Sequence, residues 1–130
     1  MRNPQENVFE EPLMNTRERG KWGEGLALEF LNKKGFVTVA SGWRSRFGEI
    51  DLIVKNSEYL VFAEVKLRKN ANFAQAREYV GKTKQDKIRA TASLWLASHR
   101  TKLQPRFDVI EIYAQDEAAV PEIIHIENAF

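Results

Sequence analysis

The stretch "FGEIDLIVKNSEYLVFAEVKLRK", Phe47 to Lys69, decides how the chain folds. Its second half, "LVFAEVKLRK" from Leu60 to Lys69, alternates as a β-strand. Alternate side chains on a strand point to opposite faces, so Leu60, Phe62, Glu64 and Lys66 share one face and Val61, Ala63, Val65 and Leu67 the other. A strand apolar on both faces is buried on both. A carboxylate and an ammonium two residues apart on it therefore call for a reason. The first half, "FGEIDLIVKN", gives a strand over Glu49–Lys55 with the same property: Asp51 interrupts an otherwise apolar run. The short turn "NSE" joins the two strands as a hairpin. Glu49, Asp51 and Ile53 are expected on one face, with Ile50, Leu52 and Val54 on the other.

Working outward, "GFVTVASGWR" predicts a preceding strand over Phe36–Arg44. Before it comes a helix. Asn15 with Glu18 three residues on has capping-box spacing, and Gly35 after Lys33 and Lys34 is a stop signal. Trp22, Leu26 and Phe30, widened by Ala27 and Leu31, form the expected apolar stripe. Gly20, Gly23 and Gly25 are poor helix formers, and their presence predicts close approach to another backbone. Glu24 falls at the edge of the stripe and can reach inward. Residues 1–14, polar and acidic with Pro4 and Pro12, are expected to be a flexible leader to a single domain over 15–130. After the hairpin, residues 69–82 lack a clean period and are expected to form a loop, with a helical turn near Ala74–Tyr79. A second helix starts near Thr83, with Asp86 as a capping-box relative, buries Ile88, Ala92, Trp95 and Leu96, and ends near Ser98–Arg100. "PRFDVIEIY" is a fourth strand and "EIIHIE" a candidate fifth. The order α-β-β-β-α-β predicts an α/β fold, a mixed sheet flanked by helices.

Composition limits the partners. No apolar run nears the ~20 residues of a membrane span, and the N-terminal residues lack the apolar core of a secretory signal. The chain has no cysteine, which excludes disulfides and thiolate metal sites and fits a cytoplasmic location. His99 and His125 are not at metal-ligand spacing and read as surface or packing residues. The net charge of +2 hides an asymmetry: residues 16–113 hold 19 basic and 11 acidic residues, while residues 114–130 hold four acidic residues and no basic one. A basic body suits a polyanionic partner.

Across the hairpin, Asp51, Glu64 and Lys66 come within a few residues of one another. Two carboxylates in one partly buried place resist ionising together, and a divalent cation resolves the conflict. Mg²⁺ suits such oxygen donors, with Mn²⁺ as the substitute. Asp51, Glu64 and the Val65 carbonyl are the candidate ligands, with Glu24 in the outer shell. Lys66 is placed to hold an attacking water or stabilise developing phosphate charge. Lys84, in the first turn of the second helix, points to the same side with Gln85 beside it. The plain alternative is a solvated Glu–Lys pair and an Asp that satisfies a turn. The apolar flanks of both strands weigh against a solvent-washed face.

At these residues the sequence resembles the PD-(D/E)XK superfamily of metal-dependent nucleases. Within it, "GKWGEGLALEFL", "FGEIDLIV", "LVFAEVKLR", "KTKQDKI" and "RFDVIEI" are similar to the bacterial YraN family, itself similar to archaeal Holliday junction resolvases. The resemblance implies a restriction-endonuclease-like αβββαβ core. It implies an active-site set of Glu24, Asp51, Glu64 and Lys66, with Lys84 as a further basic residue and Glu49 in the motif. The first functional expectation is a Mg²⁺-dependent endonuclease on DNA, branched DNA being one candidate substrate. Arg44, Arg46, Arg68, Lys69, Arg77, Lys82 and Lys87 would contact phosphates. Symmetric cutting of a junction would need a homodimer. The alternatives are a nucleic-acid-binding or adaptor protein with the same fold and little activity, and a nuclease acting on RNA.

Overall fold

The structure is a computed structural model and describes residues 14–69 and 80–130. The elements run α1 (Thr16–Lys33), β1 (Val37–Ser45), β2 (Gly48–Lys55), β3 (Tyr59–Arg68), α2 (Lys82–Ser98), β4 (Gln104–Tyr113) and β5 (Glu122–Ile126). The five strands form one sheet in the order β1-β2-β3-β4-β5. All neighbours are antiparallel except β3 and β4, which run parallel because α2 carries the chain back across the sheet. This is the mixed sheet flanked by helices that the element order predicts. The expected leader, residues 1–13 of it, and the expected helical turn at 74–79 lie outside the described residues.

Each helix covers one face. Ala27 and Leu31 of α1 pack with Leu52, Val54, Val61, Ala63, Ile110 and Ile112. Ile88, Ala92 and Trp95 of α2 pack with Ile50, Ile53, Leu60, Phe62 and Val109. β3 contributes to both clusters, as its two apolar faces require. Burying a side chain such as Phe62 or Leu52, each at most 1 % exposed, contributes about 1.5–3 kcal/mol.

The start of α1 follows its sequence signal. Asn15 Oδ1 accepts from the Glu18 N–H at 2.8 Å, and Glu18 Oε1 accepts from the Asn15 N–H at 3.1 Å. Gly35 adopts φ +99° just past the helix. The buried face differs from the expected stripe. It is centred on Gly23, Ala27 and Leu31, with Trp22, Leu26 and Phe30 only half-buried on its flanks. A glycine sits at the centre of that face, so a reading that counts large apolar residues is rotated toward one side. Nor do the three glycines mark a backbone approach. A Cβ at Gly20 or Gly25 would meet nothing within 4 Å, and at Gly23 it would meet only the Leu67 side chain at 3.7 Å. The expected cap of α2 at Thr83 is also corrected. The helix begins at Lys82 after Gly81, without a side-chain cap, and Asp86 pairs instead with Lys82 Nζ at 2.6 Å.

At the far side of the sheet, Asp108 of β4 is fully buried. Arg106 donates to it through Nε (2.9 Å) and an Nη (2.8 Å), the Asn128 N–H donates at 2.9 Å, and His125 Nε2 lies 2.7 Å away. His125 Nδ1 in turn lies 2.7 Å from Lys34 Nζ. An ammonium only donates, so Nδ1 accepts and Nε2 carries the proton that goes to Asp108. The hydrogen bonds from His125 and Arg106 outweigh burial and hold the Asp108 carboxyl below its ordinary value. His125 also packs edge-on against Phe30 and Phe36, which fits its expected packing role. His99 stacks on Trp95 with ring centroids 4.0 Å apart.

Candidate active site

The site begins where the sheet opens. The β2–β3 pairing runs from Lys55/Leu60 to Leu52/Ala63 and stops there. Beyond that point the Val65 N–H donates to Asp51 Oδ2 at 2.8 Å, so a side chain replaces the missing backbone acceptor. The strands fork, and the alternation expected on β2 breaks at the same place. Ile50 joins the α2-side cluster with Ile53 rather than the α1-side cluster with Leu52 and Val54.

A cleft of about 690 Å³ opens at this fork. Gly48, Glu49, Asp51 and Glu64 line it from the sheet, Phe47 from the β1–β2 turn, and Lys82, Lys84 and Lys87 from the first turns of α2. Glu64 is buried, and Lys84 Nζ lies 2.7 Å from its Oε2. This hydrogen bond raises the Lys84 pKa despite some desolvation, so the ammonium is a firm resident charge. Asp51 is pushed from the ordinary 3.8 up to about 7, first by burial and then by the charge of Glu64, with the Val65 N–H opposing. Glu24, half-buried on α1, is also raised, by burial and then by Glu49, with Lys21 opposing and Glu64 adding to the rise. The acids expected to converge thus feel one another electrostatically.

Lys66 was expected next along the face from Glu64. It follows Glu64 on the same face of β3, opposite Glu111 in the parallel register. There it lines a neighbouring pocket of about 340 Å³ with Gln85, Glu111 and Phe130. Within the cleft, Lys84 is a basic group that touches Glu64. The expected phosphate contacts divide similarly. Lys82 and Lys87 line the cleft. Arg44 is exposed and lies 3.8 Å from Glu49, Arg46 lies over the Phe47 ring at 4.8 Å, and Lys69 is exposed past the end of β3. Arg68 is half-buried, and Arg77 lies outside the described residues. Sequence reasoning missed Phe47. Its signal was an aromatic residue at a hairpin turn, where small polar residues are the norm.

The donors suit a hard cation. Asp51 and Glu64 offer carboxylate oxygens whose joint ionisation is disfavoured without a compensating charge, and Mg²⁺ accepts one or two carboxylates with water completing its shell. Among the described residues no three His, Cys, Asp or Glu side chains form a ready metal cage, so protein ligands alone do not complete one.

Among the described residues, a five-stranded mixed sheet with one helix on each face, forked around a pair of acids, defines an α/β protein consistent with a restriction-endonuclease-like core. Residues 23–112 match the uncharacterised protein family UPF0102. The chain is 40% identical over 119 residues to a UPF0102 protein of Caldicellulosiruptor bescii, covering 90% of this chain and 100% of that one. It is 35% identical over 118 residues to one of Dictyoglomus thermophilum, with the same coverages, and 38% identical over 118 residues to one of Clostridioides difficile, again covering 90% and 100%. The chain belongs to the UPF0102 family, the YraN family of the sequence-based expectation. No helix among the described residues is long and apolar enough to cross a membrane.

Proposed function

We propose that the protein is a metal-dependent nuclease that hydrolyses phosphodiester bonds in DNA. The observation that carries this reading is the pairing of Asp51 and Glu64 at the sheet fork, in a cleft whose opposite wall is lysine-rich. Asp51, Glu64 and the Val65 carbonyl would hold Mg²⁺ or Mn²⁺, with Glu24 in the outer shell. Such an ion would supply Lewis-acid stabilisation of a phosphoryl oxygen and lower the pKa of a bound water. The chain's own groups do the rest. Lys82, Lys84 and Lys87 attract and orient the phosphate backbone, and Lys66, next along β3 from Glu64, would hold the attacking water or stabilise developing phosphate charge. Lys84, held at Glu64, places a fixed positive charge where negative charge develops on the phosphate. The Val65 N–H fixes the Asp51 carboxylate and keeps one of its oxygens occupied.

A second reading is favoured by one observation: Lys66 lines the neighbouring pocket. On that reading the protein binds nucleic acid with little activity. One experiment separates the two. Labelled linear, flapped and four-way DNA are incubated with Mg²⁺ or Mn²⁺ and the wild type, Glu64→Ala or Lys66→Ala. The nuclease reading expects metal-dependent cleavage that both variants abolish while remaining folded. Binding without cleavage by the wild type supports the second reading.

A further inference from the structure

The β1–β2 turn breaks a local rule. Arg46 and Phe47 form a two-residue connection between the paired Ser45 and Gly48. Hairpin turns of that length favour positive φ and therefore Asn, Asp or Gly. Here neither residue takes positive φ, and the following Gly48 does so at +154°. Such departures from local preference concentrate at functional positions.

The turn is nevertheless firmly held. Ser45 Oγ accepts from the Phe47 N–H at 3.0 Å and bonds Thr91 Oγ1 of α2 at 2.9 Å, and Thr91 is fully buried. Phe47 is 39 % exposed on this anchored platform. It lines the same cleft as Asp51 and Glu64, with Lys82 and Lys87 across from it and the Arg46 guanidinium over its ring. An exposed aromatic ring flanked by cations beside a phosphate-binding cleft has one well-matched ligand chemistry. A nucleobase offers a π-face to the ring and a phosphate to the cations.

We propose that Phe47 is a base-stacking platform, so that the cleft prefers a strand whose base beside the bound phosphate is unpaired. In a continuous duplex that base is already stacked between its neighbours and cannot lie on Phe47 without being pulled out of the helix. This inference rests on the nucleic-acid reading above and adds the substrate class to it.

The test uses the full chain in EDTA, so that cleavage does not enter. Affinities for a single-stranded oligonucleotide and for a duplex of equal length are measured by fluorescence anisotropy across a salt series. For Phe47→Ala the expected result is a loss of single-strand affinity of about 5- to 150-fold, the range of one lost aromatic stack, with less than a twofold change for duplex. The salt slope should be unchanged, because no phosphate contact is removed. Phe47→Trp should restore the affinity, and its emission should change on binding. Equal losses on both substrates, no loss on either, or failure of tryptophan to rescue would overturn the proposal. So would a change in oligomeric state of Phe47→Ala without loss of single-strand affinity, which would mark the ring as a contact between copies. If the wild type binds neither substrate at low salt, the nucleic-acid reading itself fails.

Discussion

Replacing Asp51 by Asn should stabilise the metal-free protein, and only above a definite pH. The carboxyl is raised from 3.8 to about 7 in the folded state, chiefly by burial and the nearby Glu64 charge. The native protein therefore binds a proton at Asp51 that the unfolded chain releases. Stability from this group is fully present below pH 3.8, falls as the pH rises, and reaches its low plateau above pH 7. A displacement of that size corresponds to at most about 4 kcal/mol. Rearrangement around Lys84 and entry of water reduce it, and about 2 kcal/mol is expected. Asn keeps an oxygen for the Val65 N–H and removes the charge. Thermal melts of wild type and Asp51→Asn in EDTA, at constant ionic strength from pH 4 to 8.5, should coincide at the acid end. They should then separate to a gain of roughly 6–10 °C for the variant above pH 7. Mg²⁺ at 10 mM, if bound with an affinity on the order of 1 mM, should raise the wild type by about 1.4 kcal/mol, roughly 4–7 °C, and leave the variant nearly unmoved. A variant less stable than wild type at every pH would refute the reasoning, because Asp51 would then be a satisfied hydrogen-bond acceptor rather than a strained acid. A variant with the full Mg²⁺ shift would show that Asp51 is not a ligand.

Glu64→Ala and Lys66→Ala should each lose metal-dependent cleavage by at least a hundredfold while keeping the wild-type circular dichroism spectrum; cleavage near the wild-type rate by either removes it from the site. Lys84→Met deletes a cation 2.7 Å from Glu64, one that competes with any metal ion there. Because that side chain is half-exposed, the effect should be about 1 kcal/mol, or about fivefold tighter Mg²⁺ binding by calorimetry, and weaker binding would contradict the competition. DNA affinity should fall with salt at a log–log slope of roughly −3 or steeper, about −0.9 for each phosphate neutralised, whereas an isotherm flat from low to physiological salt would exclude a phosphate-led interface.

The frame of the fold was legible because its signals are local. The Asn15–Glu18 capping box, the Gly35 stop and the alternation in β3 each lie within one element and need no knowledge of distant partners. The face of α1 was misjudged because its centre is Gly23, which has no side chain to count. Asp51 and Glu64 were legible as a pair because a three-residue turn fixes their register. That Lys66 lines a second pocket was not, since that pocket depends on where β4 and α2 pack. The fork at Leu52/Ala63 was likewise hidden: strand periodicity carries no sign that a side chain will take over from a backbone carbonyl. The partners of Asp108 escaped notice because His125 and Asn128 reach it from β5 and the residues after it, and nothing in a linear pattern ties them together.

That buried aspartate also sets how the last strand behaves in time. β5 has five residues and lies at the sheet edge, the kind of element that ordinarily frays. Peeling it away would withdraw His125 and the Asn128 N–H from Asp108 together, leaving a carboxylate in the interior with Arg106 as its remaining partner. It would also part His125 from Lys34 at the end of α1. Partial detachment therefore incurs almost the whole penalty of complete detachment. The strand has no gradual route off the sheet, and it behaves as a clasp that is either shut or open.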